Sequence, residues 1–115
     1  MAGLTGSATH EVAANHTTGH VGRSVLATPS MIALIEWACS AVTADLVDPG
    51  ETTVGTHVCV SHESSVVLGE RIDIAVELRS VEGRKLTFGV EVTGPRGRVS
   101  EGTHQRAVIR LPTGT

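Results

Sequence analysis

The sequence predicts an α+β fold in which one long central helix is wrapped by a curved antiparallel sheet, and three observations predict it. The stretch from Leu26 to Val42 is strongly apolar and repeats at helical spacing. From Thr53 onward the apolar period drops to two, the mark of strands with one face inward. A chain of 115 residues suffices for a single core, but so long a helix then needs a sheet or a second subunit to cover it.

Taken in order, residues 1 to about 22 are rich in Gly, Thr, Ala and His without sustained periodicity. They read as a flexible N-terminal segment in which "THEVA" could form a short edge strand. Residues 23 to 115 read as the single domain. Thr28 suits an N-cap, Pro29 occupies the tolerated first turn, and "DPG" at Asp48 to Gly50 stops the helix, which is predicted over about Pro29 to Leu46. Met31, Leu34, Ile35, Ala38 and Val42 fall at spacings of three and four. Ile32, Trp37, Cys39 and Leu46 extend the apolar surface around the cylinder, so the helix should be surrounded by protein. Four strands follow. "GTHVCVSH" places Val58, Val60 and His62 on one face. "RIDIAVEL" puts Ile72, Ile74, Val76 and Leu78 inward. "KLTFGVEV" does the same with Leu86, Phe88, Val90 and Val92, and "GPRGR" turns the chain into a last strand reaching Ile109 and Leu111. The result is an antiparallel meander whose leftover edges favour dimerisation.

Composition excludes several functions. The net charge is -3, from 9 basic and 12 acidic residues, and Trp37 and Phe88 are the only aromatics. Neither an electrostatic footprint nor a stacking platform for nucleic acid is present. The N-terminus has no basic region followed by an apolar one, and no run approaches the roughly 18 apolar residues of a membrane span, so a cytoplasmic protein is expected. Cys39 and Cys59 form no C-x-x-C and read as small buried hydrophobes. His57 and His62 point to opposite faces of a strand, and His16 and His20 lie in the Thr-Gly-rich tail, so no metal site is expected.

Glu36 is the residue out of place, a carboxylate inside an apolar helix. It either sits at a rim, paired with an arginine such as Arg71, or faces a pocket where its surroundings tune it for proton transfer or nucleophilic attack. His62 shares the parity of Val58 and Val60 and should face the helix, which makes an inward acid-base pair. Thr28 is the third candidate. It lies eight residues before Glu36, about 12 Å along an ideal helix, so the two meet only through an irregular first turn or a bridging substrate. The amides of Ser30 and Met31 at the same helix start are free to stabilise an oxyanion.

The blocks "ATPSMIALIEWAC", "GTHVCVSH", "ELRSVEGRKLTF" and "GTHQRAVI" resemble, in order, the fluoroacetyl-CoA thioesterase group of hot-dog-fold proteins, from about Ala27 to Leu111. The resemblance implies a hot-dog fold and a homodimer with active sites at the subunit interface. It also implies hydrolysis of a short or medium acyl-CoA to the free acid and CoA, with no metal or other cofactor. It assigns catalysis to Thr28, Glu36 and His62. It further implies that the Gly55 backbone and His62 contact the acyl substrate and that Arg106 serves the CoA moiety. Parity opposite to Ala107 and Ile109 points Arg106 outward, where an arginine suits a phosphate. One departure stands out. In fluoroacetyl-specific members the stretch before the threonine is longer and carries phenylalanines that cover the acyl pocket, whereas "HVGRSVLAT" is short and has no aromatic. Fluoroacetyl specificity is therefore not expected. Two other hot-dog functions stay open at this level: hydration or dehydration of an acyl-CoA double bond, and non-catalytic acyl-CoA binding by a dimer.

Overall fold

Of the four strands expected to form a meander, the last three pair in order, whereas the first, which carries "GTHVCV", lies beside the last of them instead of beside the second. The computed structural model describes residues 3–20 and 23–112. Strand β1 (Thr5–Glu11) is followed by a 3-10 turn at Ala14–His16 and by β2 (Thr17–His20) and β3 (Arg23–Leu26). Helix α1 (Thr28–Thr43) comes next, then β4 (Glu51–Val60), β5 (Arg71–Glu82), β6 (Lys85–Gly94) and β7 (Gly97–Arg110). Five strands make one antiparallel sheet in the order β1-β5-β6-β7-β4, and β2 and β3 form a separate hairpin. The edge strand β1 spans seven residues, more than "THEVA", and is registered along β5 from Thr5 opposite Glu77 to Glu11 opposite Arg71. The hairpin is tied down through β3, where Leu26 donates to the Val66 carbonyl at 2.7 Å and Leu68 donates to that of Ser24 at 3.0 Å.

The core lies between the helix and the concave face of the sheet. Met31, Leu34, Ile35, Ala38 and Cys39 pack against Ile72, Ile74, Val76 and Leu78 of β5 and Leu86, Phe88, Val90 and Val92 of β6. Those eight strand residues are the ones the period-two pattern turned inward. The helix differs from its expected form in two ways. It ends at Thr43 rather than Leu46, with the chain continuing in turns where Leu46 donates to the Thr43 carbonyl. It is also not enclosed all round: Trp37 is 64% exposed and borders a groove of about 510 Å³ with Leu4, Ala41 and strand β1. Among the described residues no helix is long and apolar enough to cross a membrane.

Three bulges curl the sheet, since an extra residue on one strand bends it and raises its twist. Thr56 is the extra residue of β4, Arg79 of β5 and Val99 of β7. A bulge also changes which alternate residues face inward beyond it. In β7, Val99 and Ser100 are both buried, and past them the inward positions are the even ones: Ser100 opposite Val92, His104 opposite Phe88, Arg106 opposite Leu86. The expectation that Arg106 points out of the core is therefore corrected. Arg106 is only 7% exposed, while Ile109 is 38% exposed. The same bookkeeping of parity corrects the cysteines. Cys39 is buried, but Cys59 alternates with the half-buried Val58 and Val60 and is exposed.

Candidate active site

Pro29 cannot donate a backbone hydrogen bond, so it sits comfortably at the helix start and takes the second helical position. Ala27, not Thr28, is the N-cap, and no side chain caps the helix. Thr28, as the first helical residue, keeps its hydroxyl for another partner: Oγ1 lies 2.7 Å from His62 Nδ1. His62 falls just past the end of β4, where the chain still follows β7. Ser61 donates to the Glu101 carbonyl at 3.0 Å and Glu63 to that of Val99 at 2.7 Å, which keeps the intervening His62 turned toward the helix start. The Met31 amide is already donated to the Ala27 carbonyl at 3.0 Å, so of the two amides expected to be free there only that of Ser30 has no partner among the described residues.

Glu36 lies on the same helix, about 12 Å further along its axis. The helix is regular from Thr28, so no irregular first turn shortens the distance. Its side chain is 36% exposed, at a rim between α1, β4 and β7. Gly55 faces it from β4. A Cβ added at Gly55 would collide with Glu36 Oε1 and approach His104 Cε1 to 3.1 Å and Arg106 Nη1 to 3.5 Å, so this position tolerates only glycine beside an undisturbed carboxylate. The arginine near Glu36 is thus Arg106, not Arg71, which is exposed at the start of β5.

Burying a guanidinium costs several kcal/mol unless its donors are met. Arg106 Nε donates to Thr53 Oγ1 at 2.9 Å, Nη2 to the Thr53 carbonyl at 3.0 Å, and Nη1 to His104 Nε2 at 3.1 Å. The chain of donors has a fixed direction. Thr43 Oγ1 donates to the Ser40 carbonyl at 2.7 Å, so the Thr53 hydroxyl donates to Thr43, 3.0 Å away, and accepts from Arg106. Burial lowers the proton affinity of Arg106, and the negative charge of Glu36 opposes that effect. Cys39, one turn on from Glu36, has its thiol pushed up to about 12 by burial, against the attraction of Arg106. It stays protonated and is no nucleophile.

The structure therefore joins Thr28 to His62, and Glu36 to Gly55 and Arg106, as two clusters within one chain. His104, Thr53 and Thr43 were missed by sequence reasoning. Their signal is weak, because the inward residues of "SEGTHQR" are polar and parity was read from the apolar Ala107 and Ile109 instead. Among the described residues no group of His, Cys, Asp or Glu is placed to hold a metal ion.

The profile of the fluoroacetyl-CoA-specific thioesterase family matches residues 8–111. A fluoroacetyl-CoA thioesterase of Streptantibioticus cattleyicolor is 42% identical over 87 residues, which are 76% of this chain and 63% of that protein, so the match spans less than two thirds of the relative's length. The solved structure of the fluoroacetyl-CoA thioesterase FlK superposes with a TM-score of 0.89 at 34% identity, covering 96% of this chain and 89% of that one. A hot-dog-like protein from Thermanaerovibrio acidaminovorans, at 18% identity, superposes with a TM-score of 0.87 over 95% of this chain and 83% of its own. A single helix inside a strongly curled antiparallel sheet is the fold they share.

Proposed function

Because the chain belongs to the fluoroacetyl-CoA-specific thioesterase family, we propose that it hydrolyses an acyl-CoA thioester to the free acid and CoA. In this reading it works as a homodimer in which each site joins Thr28 and His62 of one protomer to Glu36 of the partner subunit. The observation that carries the reading is the split geometry. Thr28 and His62 share a hydrogen bond, while Glu36 of the same chain stands about 12 Å along a straight helix. A two-fold pairing of copies uses the same surface of each, so it would complete both sites at once if the start of one helix met the middle of the other. Strand β4 supplies a surface for it, being a sheet edge with Val54 39% exposed.

The chemistry follows from the donors at hand. With Thr28 donating to Nδ1, the His62 Nε2–H is free to donate to the thioester oxygen as it gains charge, supported by the Ser30 amide. Glu36 attacks the carbonyl carbon directly, expelling the thiolate and forming a mixed anhydride that water then cleaves, or it takes a proton from a water that attacks in its place. In either route the C–S bond breaks, water supplies the oxygen of the acid, and the thiolate leaves and is protonated. The role expected for Arg106 at a CoA phosphate loses support from its burial and its internal hydrogen bonds; a place beneath the carboxylate fits them.

The acyl preference is proposed to be a short or medium chain without marked selectivity for fluoroacetyl. Of the two aromatics, Phe88 is in the core and Trp37 faces the groove along β1. None is available from the hairpin of β2 and β3, which leads into Thr28. Size alone gives about 10- to 200-fold discrimination per methylene, and fluorine is smaller than a methyl. Comparable rates on acetyl-CoA and fluoroacetyl-CoA, and better ones on a larger acyl group, are expected; a fluoroacetyl preference of several orders of magnitude would refute this part.

The test of the function is thiol release by Glu36→Gln, His62→Ala and their mixed dimer. Both variants should fold and lose orders of magnitude in rate. Their mixed dimer should recover about one native site of the two. Full turnover by Glu36→Gln would remove the mechanism, tight acyl-CoA binding without thiol release would make the protein a binder, and a dead mixed dimer would return the whole site to one chain.

A further inference from the structure

The surroundings of Glu36 contain a histidine that the reaction above leaves unused. His104 is fully buried, and its Nδ1 lies 2.8 Å from the His57 carbonyl. A carbonyl only accepts, so Nδ1 carries the proton and donates. Nε2 of a neutral ring is then a lone pair, and Arg106 Nη1 donates into it at 3.1 Å. The His57 carbonyl is available for this because the bulge at Thr56 re-aims the β4 backbone. The titratable groups around the ring are Glu36 on the helix, His57 on β4 and Arg106 on its own strand, with Cys39 beside Arg106. Burial holds the ring below the usual histidine range, outweighing the bond to His57; nearby Arg106 pulls the same way. The 3.9 Å approach of Glu36 Oε1 to Nε2 is therefore not an ion pair. Arg106 and Glu36 are likewise close, yet no ion pair within 4.0 Å joins them among the described residues.

We propose that His104 is a positioning residue for Glu36: by accepting from Arg106 it occupies the guanidinium edge that faces the carboxylate, which is steadied by a nearby cation but not clamped by it. The proposal rests on the reading of Glu36 as the reacting carboxylate. The two Thr53 bonds fix Nε and Nη2, whereas Nη1 is the edge that faces the carboxylate side. Without an acceptor on β7, that edge has no partner, and the part-exposed Glu36 side chain is free to rotate onto it in a direct charged hydrogen bond, which would have to break before the carboxylate could react.

The experiment combines ¹⁵N NMR of His104 with kinetics of His104→Phe and His104→Gln. In the wild type, Nδ1 should be protonated and Nε2 not, with no titration near 6.5. His104→Phe should lose about 10- to 100-fold in kcat, the range of a charged hydrogen bond gained by the wrong partner, while KM moves less than about threefold. His104→Gln, whose amide oxygen accepts from Arg106, should restore most of kcat. A proton on Nε2, an ordinary titration, or wild-type kcat in folded His104→Phe would overturn the proposal. If the Phe variant fails to fold, the NMR tautomer and the Gln variant decide. Glu36→Gln is run alongside: its full activity would refute the role of Glu36, and the tautomer would still report whether His104 holds Arg106.

Discussion

At the scale of single residues, the site depends on groups whose replacements differ by one atom or one methyl. Gly55→Ala introduces a Cβ where Glu36 Oε1 now lies. Displacement of the carboxylate by even an ångström should cost at least about tenfold in kcat, and the added methyl about 1 to 3 kcal/mol in stability. Kinetics and a urea melt check both, and an unaffected kcat would mean that Gly55 does not set the carboxylate. Thr53→Val keeps the shape and removes the acceptor of Arg106 Nε and the donor to Thr43. A buried donor left unpaired costs about 1 to 3 kcal/mol, so the urea midpoint should fall accordingly. The two cysteines should behave as different chemical species. Exposed Cys59 should react with iodoacetamide in the native protein, and Cys39 only after unfolding, which intact mass spectrometry resolves.

At the scale of elements, the helix and the two central strands were legible because each carries an unbroken period of apolar residues. Met31, Leu34, Ile35 and Ala38 mark one, and Ile72 to Leu78 and Leu86 to Val92 mark the others. Strand β7 was legible in extent but not in facing. Nothing local in "GRVSEGTHQRAVIR" shows that Val99 is the extra residue of a bulge, since that depends on its pairing with β6. A hairpin without the bulge would turn Ala107 and Ile109 inward, as the apolar pattern suggests, and would put Arg106 in solvent. The candidates on the helix, Thr28 and Glu36, needed only spacing. Their separation into two clusters required knowing that the first turn is regular and that Ala27 is the cap. Inserting one residue after Ser100 tests the role of the register beyond the bulge: it should turn His104 and Arg106 outward and abolish thiol release, whereas a functional insertion variant would show that the register of β7 does not place the site.

At the scale of the whole molecule, ionisation should make the fold acid-sensitive in two stages. His104 in the fold is held below its usual 6.5, so the unfolded chain takes up the proton first. Its contribution is complete above about 6.5 and is lost as the pH falls through the lower folded value. Glu51, Glu63 and Glu70 are held below 4.5, Glu70 at about 2 through the Arg96 guanidinium, and their contribution vanishes only at still lower pH. Urea midpoints measured from pH 8 to 3 should show both stages, and His104→Gln should flatten the upper one alone; an unchanged upper stage would mean that another group sets it. The straight helix between Thr28 and Glu36 has a consequence for the rate law. If neither chain carries a whole site, the isolated subunit has zero turnover rather than a reduced one. Specific activity should hold constant at high protein concentration and then fall in proportion to concentration on dilution past the dimer's dissociation constant, giving a reaction second order in protein. Progress curves started by dilution should accordingly slow as subunits part and recover when the inactive His62→Ala subunit, which carries a native Glu36, is added back.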